Sequence, residues 1–457
     1  MRKKLMLFVL NCIPFFAISQ QIVFLDSAQI ANDLNHLQGL VFKYHPKFHD
    51  ESPKQSFINA VDNLKKECNS LTTRIEYWRK LTVLLNSIND GHTGVVLPNF
   101  EEFKNAFSFP FEIYFQNDTI FLKPQDGKDS NSKKKILVKI NNIEIEQFKK
   151  EIFPLLNSES NILSDLYFEV FFQFYYSILW GDKPVNEISY IENNKIIDVN
   201  TLTVTLEQLN KSHNSKDISL EIKEVEDVKI AWVNFENSID SDIMLEFLQQ
   251  LKREIEKNKI KNLVIDIRQN SGGTVNGAID FLDYLLKEDY YFADYAFINT
   301  AEKKSELINS QKKISLITSS PFWIFNKYKR KVLLKKNGKM IAMNNNIIRS
   351  KKKEKFKGNV FVLIGRRTYS SAVSFASILQ CKKRGILIGQ TSAGKTQGYI
   401  DSKTFVLPES KLAVYISTKQ FREKCSKKPH LEPDVFCNEN EISDKLIYEN
   451  IIKIKGK

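Results

Sequence analysis

Four short stretches of the chain carry residue types that could do nucleophilic chemistry. In Thr368-Tyr369-Ser370-Ser371 a hydroxyl stands where a helix begins, beside the free N–H of the following residue. That placement suits a nucleophilic serine, and equally a plain N-cap, since Ser and Thr accept the unpaired N–H groups of a first turn. Asn270-Ser271-Gly272-Gly273 is a glycine turn that would let backbone N–H groups approach an oxyanion, or simply a tight packing turn. Asp90-Gly91-His92-Thr93 places a histidine, whose ordinary pKa lies near neutrality, in a turn after a helix. Gly389 to Thr396 fits the phosphate-cradling pattern of Gly, four residues, Gly, Lys and Ser or Thr, with Lys395 on the phosphates and Thr396 on magnesium. A true phosphate loop opens a helix, whereas strand-like sequence follows here at Phe405 to Leu407 and Leu412 to Ile416. Nucleotide binding is therefore the remote alternative.

Positioning these groups requires strands and helices in alternation. The run Leu263-Val264-Ile265-Asp266-Ile267 reads as a strand buried on both faces, and Val275, Ala278, Ile279, Leu282 and Leu286 follow at helical spacing. The glycine turn lies between them. The same plan recurs at Val360 to Ile364, a turn, then Ala372, Phe375, Ala376 and Leu379 on one helical face. Val228 to Val233 and Gly385 to Gly389 add strands, and Ile243 to Ile255 adds a helix. Upstream, Ile30, Leu34, Leu37 and Val41 begin a helical layer that Phe57 to Leu64 and Ile75 to Leu85 continue. Between about 108 and 210 the short β-branched runs Ile113 to Phe115, Thr119 to Leu122 and Ile136 to Ile140 predict a small β-rich module. The expected organisation is a helical region over 20–107, a β-rich module over 108–217 and an α/β domain over 218–457.

The 457 residues give room for two or three domains, with 42% hydrophobic and 26% charged residues, an ordinary globular balance. The net charge of +13 is spread along the chain, and the basic stretches Lys327 to Lys336 and Arg349 to Lys357 carry few interleaved aromatics. No nucleic-acid partner is expected. Met1-Arg2-Lys3-Lys4 followed by Leu5 to Ala17 has the basic and apolar regions of an export signal, with cleavage expected after Ser19. That apolar run is too short to span a bilayer, and the product would be periplasmic or extracellular; Cys12 follows a bulky Asn11, which argues against a lipid anchor. Cys425 and Cys437 are the candidate disulfide pair. Without a C-x-x-C pair or histidines at ligand spacing, no metal and no organic cofactor are expected.

Taken in order, Asp90 to Thr93, Ile265 to Gly273, Thr368 to Ala372, Gly389 to Lys395 and Leu431-Glu432-Pro433-Asp434-Val435 resemble the motifs of the tail-specific, or carboxy-terminal processing, serine proteases. The resemblance implies a ClpP/crotonase-like core of β-β-α units and a PDZ-like fold for the middle module. It places the nucleophile on Ser370 and a lysine base on Lys395, 25 positions later, with oxyanion donors from the N–H of Ser371 and of Gly272 or Gly273. Two positions depart from that branch: Val373 stands where a Glu is usual, and Tyr399 where a Gln is usual. A second branch, similar to the tricorn core, uses a histidine, and His92 matches its place. Lys395 would need its pKa brought from about 10.4 toward 7 to 8, whereas His92 needs no such shift. The sequence thus points to an exported serine endopeptidase acting on polypeptides, with Lys395 as the first-choice base. A catalytically inactive peptide-binding relative is the alternative, kept open by Val373 and Tyr399.

Overall fold

The computed structural model describes residues 23–455 apart from 117, 124–134, 210–215, 313–326, 344–346, 349, 351–354, 427 and 439–441. The export signal expected over 1–19 lies outside the described residues. No helix among the described residues is long and apolar enough to cross a membrane.

A six-stranded sheet runs in the order Ile218–Val225, Val228–Phe235, Asn262–Asp266, Asn359–Ile364, Ile386–Gly389 and Val435–Phe436. Its first pair is an antiparallel hairpin and every later pair is parallel. The continuous apolar runs of the central strands follow from this, because helices cover the sheet. A strand with one wet face would alternate apolar and polar residues, whereas Leu263, Val264, Ile265, Val362, Leu363 and Ile364 are all fully buried. Helices Ser241–Asn258, Val275–Leu285 and Ser371–Cys381 pack on it around Phe281 and Phe375. The two strand-turn-helix units read from the sequence lie side by side, so their turns open at one end of the sheet, the carboxyl ends of parallel strands where α/β folds bind ligands.

A long hairpin, Gln397–Val406 with Ala413–Arg422, leaves this end and forms a second sheet with Asp294–Ile298 and Met340–Met343. Its far edge pairs with Gly94–Val95, so the segment after His92 is bound by the hairpin. The strand predicted only over 405–407 and 412–416 is therefore much longer. A strand, and no helix, follows the Gly389–Thr396 loop, which removes the helix a phosphate loop needs.

The N-terminal helices Ser27–Tyr44, Glu51–Glu67 and Arg74–Asn86 share one apolar core with the middle module. That module has the sheet Ile113–Gln116, Thr119–Leu122, Lys135–Ile140, Glu187–Glu192 and Lys195–Asn200. It also contains a 20-residue helix, Asn161–Trp180, which the sequence reading did not identify. Its sequence is apolar and aromatic nearly all round, so no amphipathic stripe marks it; Phe172 packs edge-on against Phe109 and Phe148 and tilted against Phe168 and Tyr176. The disulfide joins Cys381 to Cys425, and the expected partner Cys437 is a buried cysteine outside that bridge. Spacing along the chain could not reveal that the end of the Ser371 helix and the end of the hairpin meet.

Candidate active site

Ser370 caps the helix Ser371–Cys381 with φ 52° and ψ −122°, a conformation that disfavours any side chain. Such strain persists only where the surroundings over-determine it. Here buried Thr368 accepts from the Gly365 N–H and donates to the Ile267 carbonyl (3.0 and 2.9 Å), while the Tyr369 N–H donates to the Asn270 carbonyl at 3.0 Å. These bonds bolt the serine turn to the glycine turn. The result is a sharp elbow that presents Ser370.

Gly272 and Gly273 both have positive φ, 96° and 124°. A Cβ on Gly272 would lie 2.6 Å from Ser370 Cβ and 3.1 Å from Ser371 N, so only glycine permits this approach. Asn270, fully buried, spends its amide on the Phe235 carbonyl and its Oδ1 on the Gly272 N–H at 2.9 Å. Of the two glycine donors named from sequence, the Gly272 N–H is thus occupied by Asn270. The Ser371 hydroxyl is held by Ser238 Oγ at 3.0 Å.

His92 reaches this elbow from the far N-terminal region. Its ring stacks on that of Tyr369, with centroids 5.1 Å apart and planes at 16°, and Nδ1 lies 3.3 Å from the Tyr369 hydroxyl. Asp90, fully buried, builds the turn: Oδ1 accepts from the His92 N–H at 3.0 Å, and Oδ2 accepts from Ser417 Oγ at 2.6 Å and meets His45 Nε2 at 3.1 Å. His45 Nδ1 accepts from the Lys47 N–H, so Nε2 is its donor. Ser417 belongs to the long hairpin, and its N–H donates to Thr93 Oγ1, so the hairpin fixes the His92 turn. Burial opposes ionisation of Asp90, but hydrogen bonds from His45 and from the Ser417 and Thr93 hydroxyls hold its carboxyl below the usual range. Burial pushes the His92 pKa down against the pull of Asp90.

Glu159 completes the cluster, and no sequence signal singled it out. It precedes the N-cap Ser160 of the aromatic helix, is 7% exposed, and accepts from the Tyr369 hydroxyl and the Gly91 N–H, both at 3.4 Å. Burial first, then the charge of Asp90, raises its pKa to about 7, against the pull of Lys395. Burial also drives the Tyr369 phenol well above its ordinary range, so it is a neutral donor. One ligand atom each from Asp90, His92 and Glu159 lie within 4.8 Å of one another, which makes them the set that could hold a cation. The Tyr369 hydroxyl links two of them, His92 and Glu159.

Lys395 lies on the other flank. Its neighbour Gly394 backs onto the serine turn, where a Cβ would fall 3.0 Å from Tyr369 Cα and 2.7 Å from the Val373 side chain. Lys395 lines a cavity of about 440 Å³ together with Glu159, Gln397, Tyr399 and Arg422. Val373 is fully buried, and the carboxylate expected there is absent. At the next position, however, Ser374 Oγ donates to Glu423 at 2.6 Å, a carboxylate brought in by the end of the hairpin. Glu423 is 3% exposed, and burial raises its pKa to about 7 against the Ser374 and Ser377 hydroxyls. Tyr399, where the resemblance expects Gln, stacks on His45 with ring centroids 4.5 Å apart.

A mixed α/β core with a serine on a strained turn, backbone donors beside it and a stacked histidine is the architecture of a serine-type peptidase. Residues 229–435 match the model of peptidase family S41. No curated protein matches the chain in sequence. Among solved structures it is similar to mature CPAF, with a TM-score of 0.64 at 13% identity over 94% of this chain and 96% of that one. The complex of mature CPAF with lactacystin gives the same score and identity over 94% and 98%. At this identity the likeness concerns the fold, and it extends over the N-terminal helices and the middle module as well as the sheet.

Proposed function

We propose that the chain is an exported serine endopeptidase in which Ser370 is the nucleophile and His92 the general base. The observation that carries the choice of base is the packing of His92 on Tyr369, the residue directly before Ser370. In this reading His92 Nδ1–H donates to the Tyr369 hydroxyl, which donates to Glu159, leaving Nε2 free to take the Ser370 proton. Ser370 Oγ attacks the peptide carbonyl, the N–H groups of Ser371 and Gly273 receive the oxyanion, and the protonated imidazole returns its proton to the departing amine. Water then releases the acyl group by the same route. Burial of His92 keeps it neutral and ready below its ordinary pKa.

A second reading keeps Lys395 as the base, supported by its 25-residue spacing from Ser370 and by Gly394 against Tyr369. The Cys381–Cys425 bridge supports an oxidising compartment and hence export. A fluorophosphonate probe tests the reading: wild type is expected to label, and Ser370→Ala is not. Absence of labelling under all conditions would favour an inactive peptide-binding relative.

A further inference from the structure

The cavity on the Lys395 flank has a charge pattern that the catalytic reading leaves unused. Its volume is about 440 Å³, and Lys395 and Arg422 both line it. Neither forms an ion pair among the described residues: Lys395 feels the charge of Glu159 without bonding to it, and Arg422 holds only its backbone in the hairpin. Asn89, Gln397 and Gln420 add neutral amide donors around the same space. The one carboxyl in the wall, Glu159, has its oxygens turned to the Gly91 N–H and the Tyr369 hydroxyl. The cavity wall therefore carries two cations, three amides that can donate, and a single carboxyl that is already engaged. It also adjoins the nucleophile, since Glu159 touches Tyr369 from one side and Gly394, next to Lys395, touches it from the other.

We propose that this cavity is a substrate subsite for a carboxylate, with Arg422 and Lys395 as its cationic partners, and that it sets a preference for an acidic group near the bond to be cut. The proposal rests on the peptidase reading above. Arg422 is exposed at the rim, where a guanidinium can meet a carboxylate in two parallel bonds, and Lys395 is half-buried deeper in. Two sources could supply the carboxylate: an Asp or Glu side chain, or the free carboxyl end of the substrate.

The test uses the full chain and paired peptides that differ only by Glu against Gln at each position around a scissile bond, and by a free against an amidated carboxyl end. The expected result is a kcat/KM about fivefold or more higher for one acidic partner, reduced to parity in Arg422→Gln. Arg422→Glu is expected to shift that position toward Lys. Loss of the Glu/Gln preference on mutation assigns a side chain, and loss of the acid/amide preference assigns the chain end. Equal rates for every pair in wild type, or a preference unchanged in both Arg422 variants, would overturn the proposal. If no peptide is cut, the peptidase reading fails separately. Fluorescence anisotropy of the same labelled pairs on Ser370→Ala then decides the subsite: tighter binding of the acidic partner that Arg422→Gln removes supports it, and equal binding refutes it.

Discussion

Glu423 gives the sharpest test of the packing behind the serine helix. Its carboxyl is nearly fully buried, and burial raises its pKa from 4.5 to about 7 against the Ser374 and Ser377 hydroxyls. The folded state therefore holds a proton that the unfolded chain releases. Stability from this group is fully present below pH 4.5 and is lost as pH rises through 7. At about 1.4 kcal/mol per pH unit, the ionised carboxylate costs the fold about 3 kcal/mol at pH 8. Glu423→Gln keeps the shape and the acceptor for Ser374 but cannot ionise. The variant is expected to match wild type near pH 4.5 and to exceed it at pH 8 by about 3 kcal/mol, roughly 6 to 12 °C in Tm for a domain of this size. Thermal unfolding from pH 4.5 to 8.5 measures both curves. Glu159, also near 7, adds a similar slope to each, so the difference between them is the readout. Parallel curves, or a variant weaker at pH 8, would refute the burial argument.

Two other outcomes follow from the same geometry. With His92 as base, kcat/KM rises through a pKa below 6.5, and a further inflection near 7 should vanish in Glu159→Gln; continued increase above pH 8 would instead favour Lys395. The Cys381–Cys425 bridge spans 44 residues, so chain entropy assigns it about 4 kcal/mol, and Cys381→Ser with Cys425→Ser should lower the unfolding midpoint accordingly; an unchanged midpoint would show that the bridge constrains little.

The two strand-turn-helix units were legible because uninterrupted apolar runs and helical spacing flank each turn, and both turns proved to be neighbours. His92 was legible as a turn residue, but its approach to Tyr369 was not, because it depends on the hairpin that binds Asp90 and Thr93 through Ser417. Glu159 and Glu423 carried no local signal. Each is defined by burial and by partners 210 and 49 positions away. The resemblance supplied the order of the motifs, while the bond from the Gly272 N–H to Asn270 Oδ1 was visible only in the structure. The aromatic helix Asn161–Trp180 escaped because periodicity is silent when nearly every face is apolar.

The base is decided most directly by measuring kcat/KM for His92→Ala and Lys395→Met beside wild type on one peptide. An imidazole stacked on Tyr369, the residue before Ser370, and acting as the proposed base predicts a loss of about a thousandfold or more for His92→Ala, with Lys395→Met retaining most of the rate on a substrate without acidic groups. The reverse ranking would contradict the account.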